Sequence, residues 1–415
     1  MEILINFSEG DFFPFLKPLG QQLADLPRSS CPRSCWGSFA LTIRLEPTRQ
    51  SAVCSHCGVL KRKALDVKKV RRWRHIDTLG WRTDVIAPLR RVDCRRCGVR
   101  VEQVPWARVG SHLTHRFEAE ILDRARETSI LGVCRQLRVH WTTVMRLIER
   151  WVMECAEKRF HRPLRRIGVD EISYGRGQKK YLTIVWDHDR GEVVWIGKGR
   201  DKDTLDAFFA KLGRRRSRRL ACIAMDMANG YIAAAAQHAK HADVIFDRFH
   251  IEQYLTKAVN EIRKAEFWRR GGQWRELIKG KKFLLLKKRR RLHWRRRREL
   301  DELLALNRRL CVAYVLKEQF DHAWTYTTPA GMLRFLLWWR RLLRWQRLRP
   351  LVQFWGLLER HMDGVVAWAK HHLSNAALEG NNARIRGISI RARGYRNPDN
   401  LMMVLYHASW RGVGS

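Results

Sequence analysis

The sequence predicts a multi-domain chain: a four-cysteine ribbon, a pair of helices, and an α/β domain interrupted by a long all-α stretch. Three observations lead there. Two Cys-x-x-Cys turns stand 36 residues apart in the N-terminal third. Short apolar runs that end in carboxylates alternate with helical patterns between residues 165 and 250. From 251 to 370 the helical period takes over, and nine of the 18 tryptophans fall there.

Composition narrows the partner. Over 415 residues, 82 Lys and Arg stand against 41 Asp and Glu, a formal charge of +41. Such a surplus resists compaction unless a polyanion shares the surface, so nucleic acid is the first candidate and anionic membrane the second. A hydrophobic content of 45% excludes a merely disordered basic tail. Met1–Gly20 mixes Glu2, Glu9 and Asp11 with short apolar pieces and does not read as a secretory leader. The most apolar stretch, Met332–Leu343, is broken by Arg334, Arg340 and Arg341, too soon to span a bilayer. The expectation is a soluble, cytoplasmic protein, whose ten cysteines serve as metal ligands or buried thiols rather than disulfides.

Residues 1–50 have no assigned role; Cys31 and Cys35 lack a second pair nearby and read as plain thiols. In 51–106, Cys54-Ser55-His56-Cys57 and Cys94-Arg95-Arg96-Cys97 are each followed by glycine. Four thiolates on two knuckles form a tetrahedral zinc site with no open position, hence a structural one. Trp81–Leu89 and Arg91–Asp93 read as the strands behind it. Lys61–Lys63, Lys68-Lys69 and Arg71-Arg72 are either phosphate contacts or a solvated face.

Residues 107–160 read as helices. Phe117–Thr128 is one; Leu131–Leu137 and Trp141–Val152 follow, joined by a short turn. Val133, Leu137, Val139, Val144, Leu147 and Ile148 form their inner seam. The geometry is that of a helix-turn-helix, whose second helix offers His140, Trp141, Thr142, Thr143 and Arg146 to a DNA groove. The turn lacks the favoured glycine, and simple helix packing is the alternative.

From 161 to 250 the pattern reads strand Arg166–Ile172, strands Lys180–Trp186 and Glu192–Gly197 around the turn 187–191, helix Thr204–Leu212, strand Ala221–Met225, helix Tyr231–His238 and strand Asp243–Phe246. This order resembles a ribonuclease H-like fold. By that analogy the first and fourth strands are neighbours, which brings Asp170 and Asp226 together. Asp187 and Asp189 are turn residues. Asp170 is preferred to Glu171 because successive strand residues face opposite ways. Asp247 is the rival ligand and His250 a candidate phosphate contact, though either fits a helix cap as well.

Residues 251–370 read as a helical insertion whose tryptophans form its core. The block Lys281–Arg298 is so basic that phosphate is expected beside it. Residues 371–408 return to the α/β domain: Ser374 or Asn375 caps a helix on which Glu379, Asn382 and Arg386 share one face. Arg391, Arg393 and Arg396 prolong the basic path, and 408–415 read as a frayed end. Three acids of this kind suit two magnesium (or manganese) ions, which activate water and stabilise a leaving oxygen in phosphodiester chemistry.

The ordered motifs (the Cys-x-x-Cys pair, the helix-turn-helix, Val169-Asp170-Glu171, Met225-Asp226-Met227, Asp247-Arg248-Phe249-His250, Ser374-Asn375 with Glu379-Gly380-Asn381-Asn382, and Gly394-Tyr395-Arg396) resemble DDE transposases of bacterial insertion sequences, the ISL-three group. The likeness covers roughly 50–408. It implies that Asp170, Asp226 and Glu379 are the catalytic triad and that the ribbon and helix-turn-helix bind terminal inverted repeats. It also implies a nucleoid-associated enzyme that cleaves element ends and joins them to target DNA. One departure is Arg384–Arg391, where the group tends to carry a lysine-rich motif. Pairing of two ends implies a homodimer or larger complex on DNA. The alternatives are a catalytically silent, transposase-derived DNA-binding regulator, and a nuclease that cuts without joining.

Overall fold

The computed structural model describes residues 2–7, 40–78, 80–175, 180–269, 272–373, 380, 383, 387–388, 395 and 397–410. The chain forms two compact units, 1–150 and 151–415.

The first unit is built on a mixed sheet. Strands β1 (Glu2–Phe7), β2 (Ala40–Pro47), β5 (Asp66–Arg74) and β6 (Arg82–Cys94) lie in the order β1-β2-β6-β5, with β7 (Gly98–Val101) also paired to β6. A two-stranded ladder, β3 (Ala52–Val53) and β4 (Leu60–Lys61), sits beside it. Strand β2 was not legible in the sequence, yet its alternate residues Leu41, Ile43 and Leu45 enter the core. There they meet Trp73 and Trp106, whose rings cross edge to face at 5.5 Å. The two runs expected between 81 and 93 are one 13-residue strand. Pro88 is tolerated inside it because the β2 ladder ends at Ile86, so no hydrogen bond is asked of its nitrogen on that side.

Helices α1 (His115–Glu127), α2 (Ile130–Leu137) and α3 (Trp141–Phe160) follow. Thr114 caps α1 and Ser129 caps α2 through side-chain oxygens. Five of the six expected seam residues, Val133, Leu137, Val144, Leu147 and Ile148, are buried.

The second unit opens with a five-stranded sheet. Strands β8 (Arg166–Ser173), β9 (Tyr181–Asp187), β10 (Glu192–Lys198), β11 (Cys222–Met225) and β12 (Asp243–Phe246) lie in the order β10-β9-β8-β11-β12. The first three are antiparallel, while β11 runs parallel to both β8 and β12. Helices α4 (Lys202–Leu212), the short α5 (Arg214–Ser217) and α6 (Asn229–His238) connect them. Ile167, Val169, Phe208, Ile223 and Tyr231 share one core with the helical region downstream.

That region runs from α7 (Arg248–Arg269) through α8 (Gln273–Ile278), α9 (Lys282–Leu286), α10 (Trp294–Leu306), α11 (Arg308–Phe320), α12 (Pro329–Gln346) and α13 (Arg349–Arg360) to the short α14 (Met362–Val366) and α15 (Trp368–His371). Trp324, Trp339, Trp355 and Trp368 are buried as expected, but Trp268, Trp294, Trp338 and Trp345 are exposed.

The basic block 281–298 differs from expectation. It is broken into α9, a 3-10 turn over Arg289–Arg291, and the start of α10, and carboxylates of the same unit partner much of it. Lys281 meets Glu299, Lys288 meets Asp321 and Glu252, Arg289 meets Asp301, and Arg298 meets Glu302. Asp321 also takes Arg248 at 3.0 Å and Arg290 at 3.6 Å. The buried Lys317 donates to the carbonyls of Leu285, Leu286 and Lys287, closing the end of α9. Phosphate is therefore not required to hold this segment.

The start of the frayed end expected over 408–415 is ordered: helix α16 runs over Pro398–Ser409, while 411–415 lie outside the described residues. Trp410 is 2% exposed, with its indole N–H donated to Val193 O at 2.7 Å. Tyr406 Oη accepts from Ile196 N at 2.8 Å. These bonds occupy the free edge of β10, which fixes the helix.

Candidate functional sites

The carboxylates of the second sheet sit on or just after neighbouring strands. Ala224 lies opposite Gly168 on one side and Ile245 on the other. The β11–β8 ladder ends at that pair, two residues before Asp226 and Asp170, and on the β12 side the Asp247 N–H donates to Met225 O at 3.0 Å. Asp226 and Asp247 follow the last residues of β11 and β12, Asp170 lies within β8, and all three are half-buried. Apolar runs bring them there: Cys222–Met225 is wholly buried, and the chain emerges at Asp226. Oδ1 of Asp170 accepts from Glu171 N and Oδ1 of Asp226 from Met227 N, each at 2.7 Å.

Glu171 faces the opposite side of the sheet from Asp170. Its cross-strand partner is Thr183, whose hydroxyl meets Tyr231 Oη at 2.8 Å. Partial desolvation raises the Glu171 pKa from its ordinary value; Arg200 opposes this, and Asp170 and Asp226 reinforce it. Arg200 and Tyr231 were not singled out from the sequence, since folding alone brings them near Glu171.

Asp247 and His250 form a couple at the start of α7. Asp247 Oδ1 accepts from Phe249 N at 2.9 Å, while Oδ2 lies 3.2 Å from His250 Nδ1. Burial pulls the His250 pKa down, but Asp247, then Asp226 and Asp170, outweigh it, so the pKa lies above the usual histidine value. Glu379, Asn382, Arg386, Arg391 and Arg393 lie outside the described residues, as do Ser374, Asn375, Arg396, Cys31 and Cys35.

In the first unit the sulfurs of Cys54, Cys57, Cys94 and Cys97 lie within 4.8 Å of one another, and those of Cys57 and Cys94 are 3.5 Å apart. A tetrahedron of ~2.3 Å zinc–sulfur bonds has edges of about 3.8 Å. The four thiols fit that ion. Gly58 and Gly98 follow the knuckles at φ +73° and +71°, the left-handed region that glycine enters without strain. The N–H of Arg96 is the largest influence lowering the Cys94 pKa to about 6, which suits a thiolate ligand. Among the described residues this is the one group of metal-ligating side chains that closes so tightly.

The helical pair turns through Arg138, which adopts φ 55° where glycine is usual and pairs with Asp77. His140, Thr142 and Arg146 are exposed on one side of α3, with Thr143 half-buried. His140 Nδ1 lies 2.8 Å from the Thr142 hydroxyl and accepts from Thr142 N at 3.3 Å, so it also caps the helix. Strand β5 exposes Lys68, Lys69 and Arg72, whereas Arg71 is spent on the carbonyls of Gly110 and Ser111.

Comparison with known proteins decides the family. Residues 167–405 match the model described as transposase of the ISL3 type. The chain belongs to the ISL3 family of insertion-sequence transposases. Residues 102–152 match the helix-turn-helix domain of that family, and 50–97, which hold all four cysteines, match the zinc finger of the IS204/IS1001/IS1096/IS1165 transposases. The chain is 28% identical over 363 residues to the transposase for IS1001 of Bordetella parapertussis, covering 86% of this chain and 89% of that one. It is 31% identical over 384 residues to the transposase for IS1557 of Mycobacterium tuberculosis, covering 85% of each. Among the described residues no helix is long and apolar enough to cross a membrane.

Proposed function

We propose that this chain is a metal-dependent DDE transposase that binds the terminal inverted repeats of its element, cleaves the ends and joins them to target DNA. The observation that carries this reading is the parallel pairing of β8 with β11, which sets Asp170, within β8, beside the strand that leads into Asp226. The strand order supports a ribonuclease H-like core with residues 251–370 inserted as an all-α domain.

Asp170 and Asp226 present hard oxygen ligands, and Glu379 is the third acid of the set. Two magnesium or manganese ions held there would lower the pKa of attacking water and stabilise the leaving oxygen. The chain's own groups do the rest. The Asp247 carboxylate lies 3.2 Å from His250 Nδ1, a charge that favours the protonated ring and leaves Nε2 to donate to a phosphate oxygen. Asp247 thereby serves as a positioning residue. Hydrolysis of the first bond frees a DNA 3′-hydroxyl; that hydroxyl then attacks a target phosphate at the same acids, and the target strand's P–O3′ bond breaks, its 3′-oxygen leaving with a proton as a hydroxyl. The four-cysteine ribbon holds structural zinc. His140, Thr142, Thr143 and Arg146 contact a DNA groove, and Asn382, Arg386, Arg391 and Arg393 are further DNA-binding residues. A homodimer or larger complex on DNA holds two ends together.

The test is Asp170→Asn and Glu379→Gln in a strand-transfer assay with magnesium. Loss of a metal ligand is expected to cut joining by roughly a hundredfold or more, with repeat binding retained. Joining at the wild-type rate in either variant overturns the proposal.

A further inference from the structure

Helix α12 carries an exposed stripe that the catalytic reading does not use. Arg334, Trp338, Arg341 and Trp345 recur at i, i+4, i+7 and i+11, on the side opposite the buried Met332, Leu336, Trp339 and Leu343. Trp345 is 85% exposed and Trp338 45%. A side chain of that size is seldom left in water without a partner. The stripe runs into an open cavity of about 570 Å3 lined by Tyr326, Phe335, Trp338, Arg334, His322 and Thr325. Its three rings stand in series: Tyr326 and Phe335 have centroids 5.5 Å apart, as do Phe335 and Trp338. Gly331 makes room for this, since a Cβ there would meet the capping hydroxyl of Thr328 at 2.9 Å and the Tyr326 ring at 3.0 Å.

We infer that this face binds single-stranded DNA, with one base in the aromatic notch, a second on Trp345, and phosphates on Arg334 and Arg341. Charge selects the partner. Between Asp321 and Glu359 the sequence has six arginines and no carboxylate, so a second copy of this strongly cationic chain would meet like charge, whereas a polyanion would not. Ring chemistry selects the form. Base faces are covered by their neighbours in a duplex and free in a single strand, where stacking on aromatic side chains binds without regard to sequence. Trp338 and Trp345 lie about 10 Å apart along the helix, room for a short run of nucleotides between them.

The experiment uses the full chain and a 12-nucleotide single strand bearing 5-iodouracil, with a duplex of equal length for comparison. Photocrosslinks are expected at Trp338 and Trp345. Trp338→Ala and Trp345→Ala should each weaken single-strand binding by roughly tenfold and leave duplex binding nearly unchanged. Replacing Arg334 and Arg341 with Gln should flatten the salt dependence by about 1.4. Gly331→Ala, which displaces Tyr326 but keeps both tryptophans, should lose the Trp338 crosslink and retain that at Trp345. Crosslinks elsewhere together with an unchanged single-strand to duplex ratio overturn the proposal. So does a double tryptophan variant that changes only self-association, or only binding to anionic phospholipid vesicles. Asp170→Asn protein should crosslink like the wild type, so failure of the catalytic proposal and failure of this one are distinguishable.

Discussion

His75 makes the stability of the first unit depend on pH. It is 3% exposed, and its Nδ1 lies 2.8 Å from the hydroxyl of Thr114, the residue that caps α1. Burial, reinforced by Arg74 and Arg116, pulls its pKa from 6.5 down to about 4. The unfolded chain therefore takes up a proton near pH 6.5 while the native unit resists until about 4. The stabilisation is complete above pH 6.5 and is lost as pH falls toward 4, at roughly 1.4 kcal/mol per pH unit inside that window. From pH 7 to pH 5 the loss amounts to about 2 kcal/mol. His75→Gln keeps a polar partner for Thr114 and removes the titration. Every other titrating group, the cysteines included, is common to both proteins, so the difference isolates His75. The assay is urea-dependent hydrogen exchange of peptides covering 82–94, at pH 7, 6 and 5 in zinc-buffered solution. The wild type should lose about 2 kcal/mol more than the variant between pH 7 and 5. Parallel curves would refute the argument.

Zinc removal should act locally first. The knuckles bury few apolar side chains, whereas Leu41, Ile43, Trp73 and Trp106 form a separate core. Chelation is expected to abolish exchange protection in 52–61 and 94–102 while protection in 41–45 survives; simultaneous loss in both would show that one cooperative unit depends on the ion. Trp410→Ala empties a fully buried site and leaves Val193 O without its donor. It should cost the second unit about 3–5 kcal/mol in urea unfolding, and a cost below 1 kcal/mol would restore the frayed-end reading of this terminus.

The strands of the second unit were legible because each is a short apolar run closed by a polar turn. Asp243–Phe246 matches in full, and Arg166–Ile172 is short by one residue. The helix-turn-helix seam was equally plain, since period alone sorts Val144 from Arg146. Strand β2 was not: its alternation is clear only once β6 is known to lie beside it. Exposure of Trp338 and Trp345 was hidden for a related reason. Trp338 and Trp339 are adjacent in sequence, and only the packing of α12 decides that one enters the core and the other does not. The surroundings of the acids were half legible. The pairing of β8 with β11 followed from fold analogy, but the approach of Asp247 to His250 depends on local geometry, which one sequence does not disclose.

The ion pairs around Asp321 make tolerance to substitution lopsided. That one carboxylate faces Lys288, Arg248 and Arg290 together. With twice as many cations as anions in the chain, a lost arginine usually leaves its acid a second choice, while a lost acid leaves several cations pressed against one another. Drift in this region should accordingly spare its scarce aspartates and glutamates and fall on the abundant bases around them.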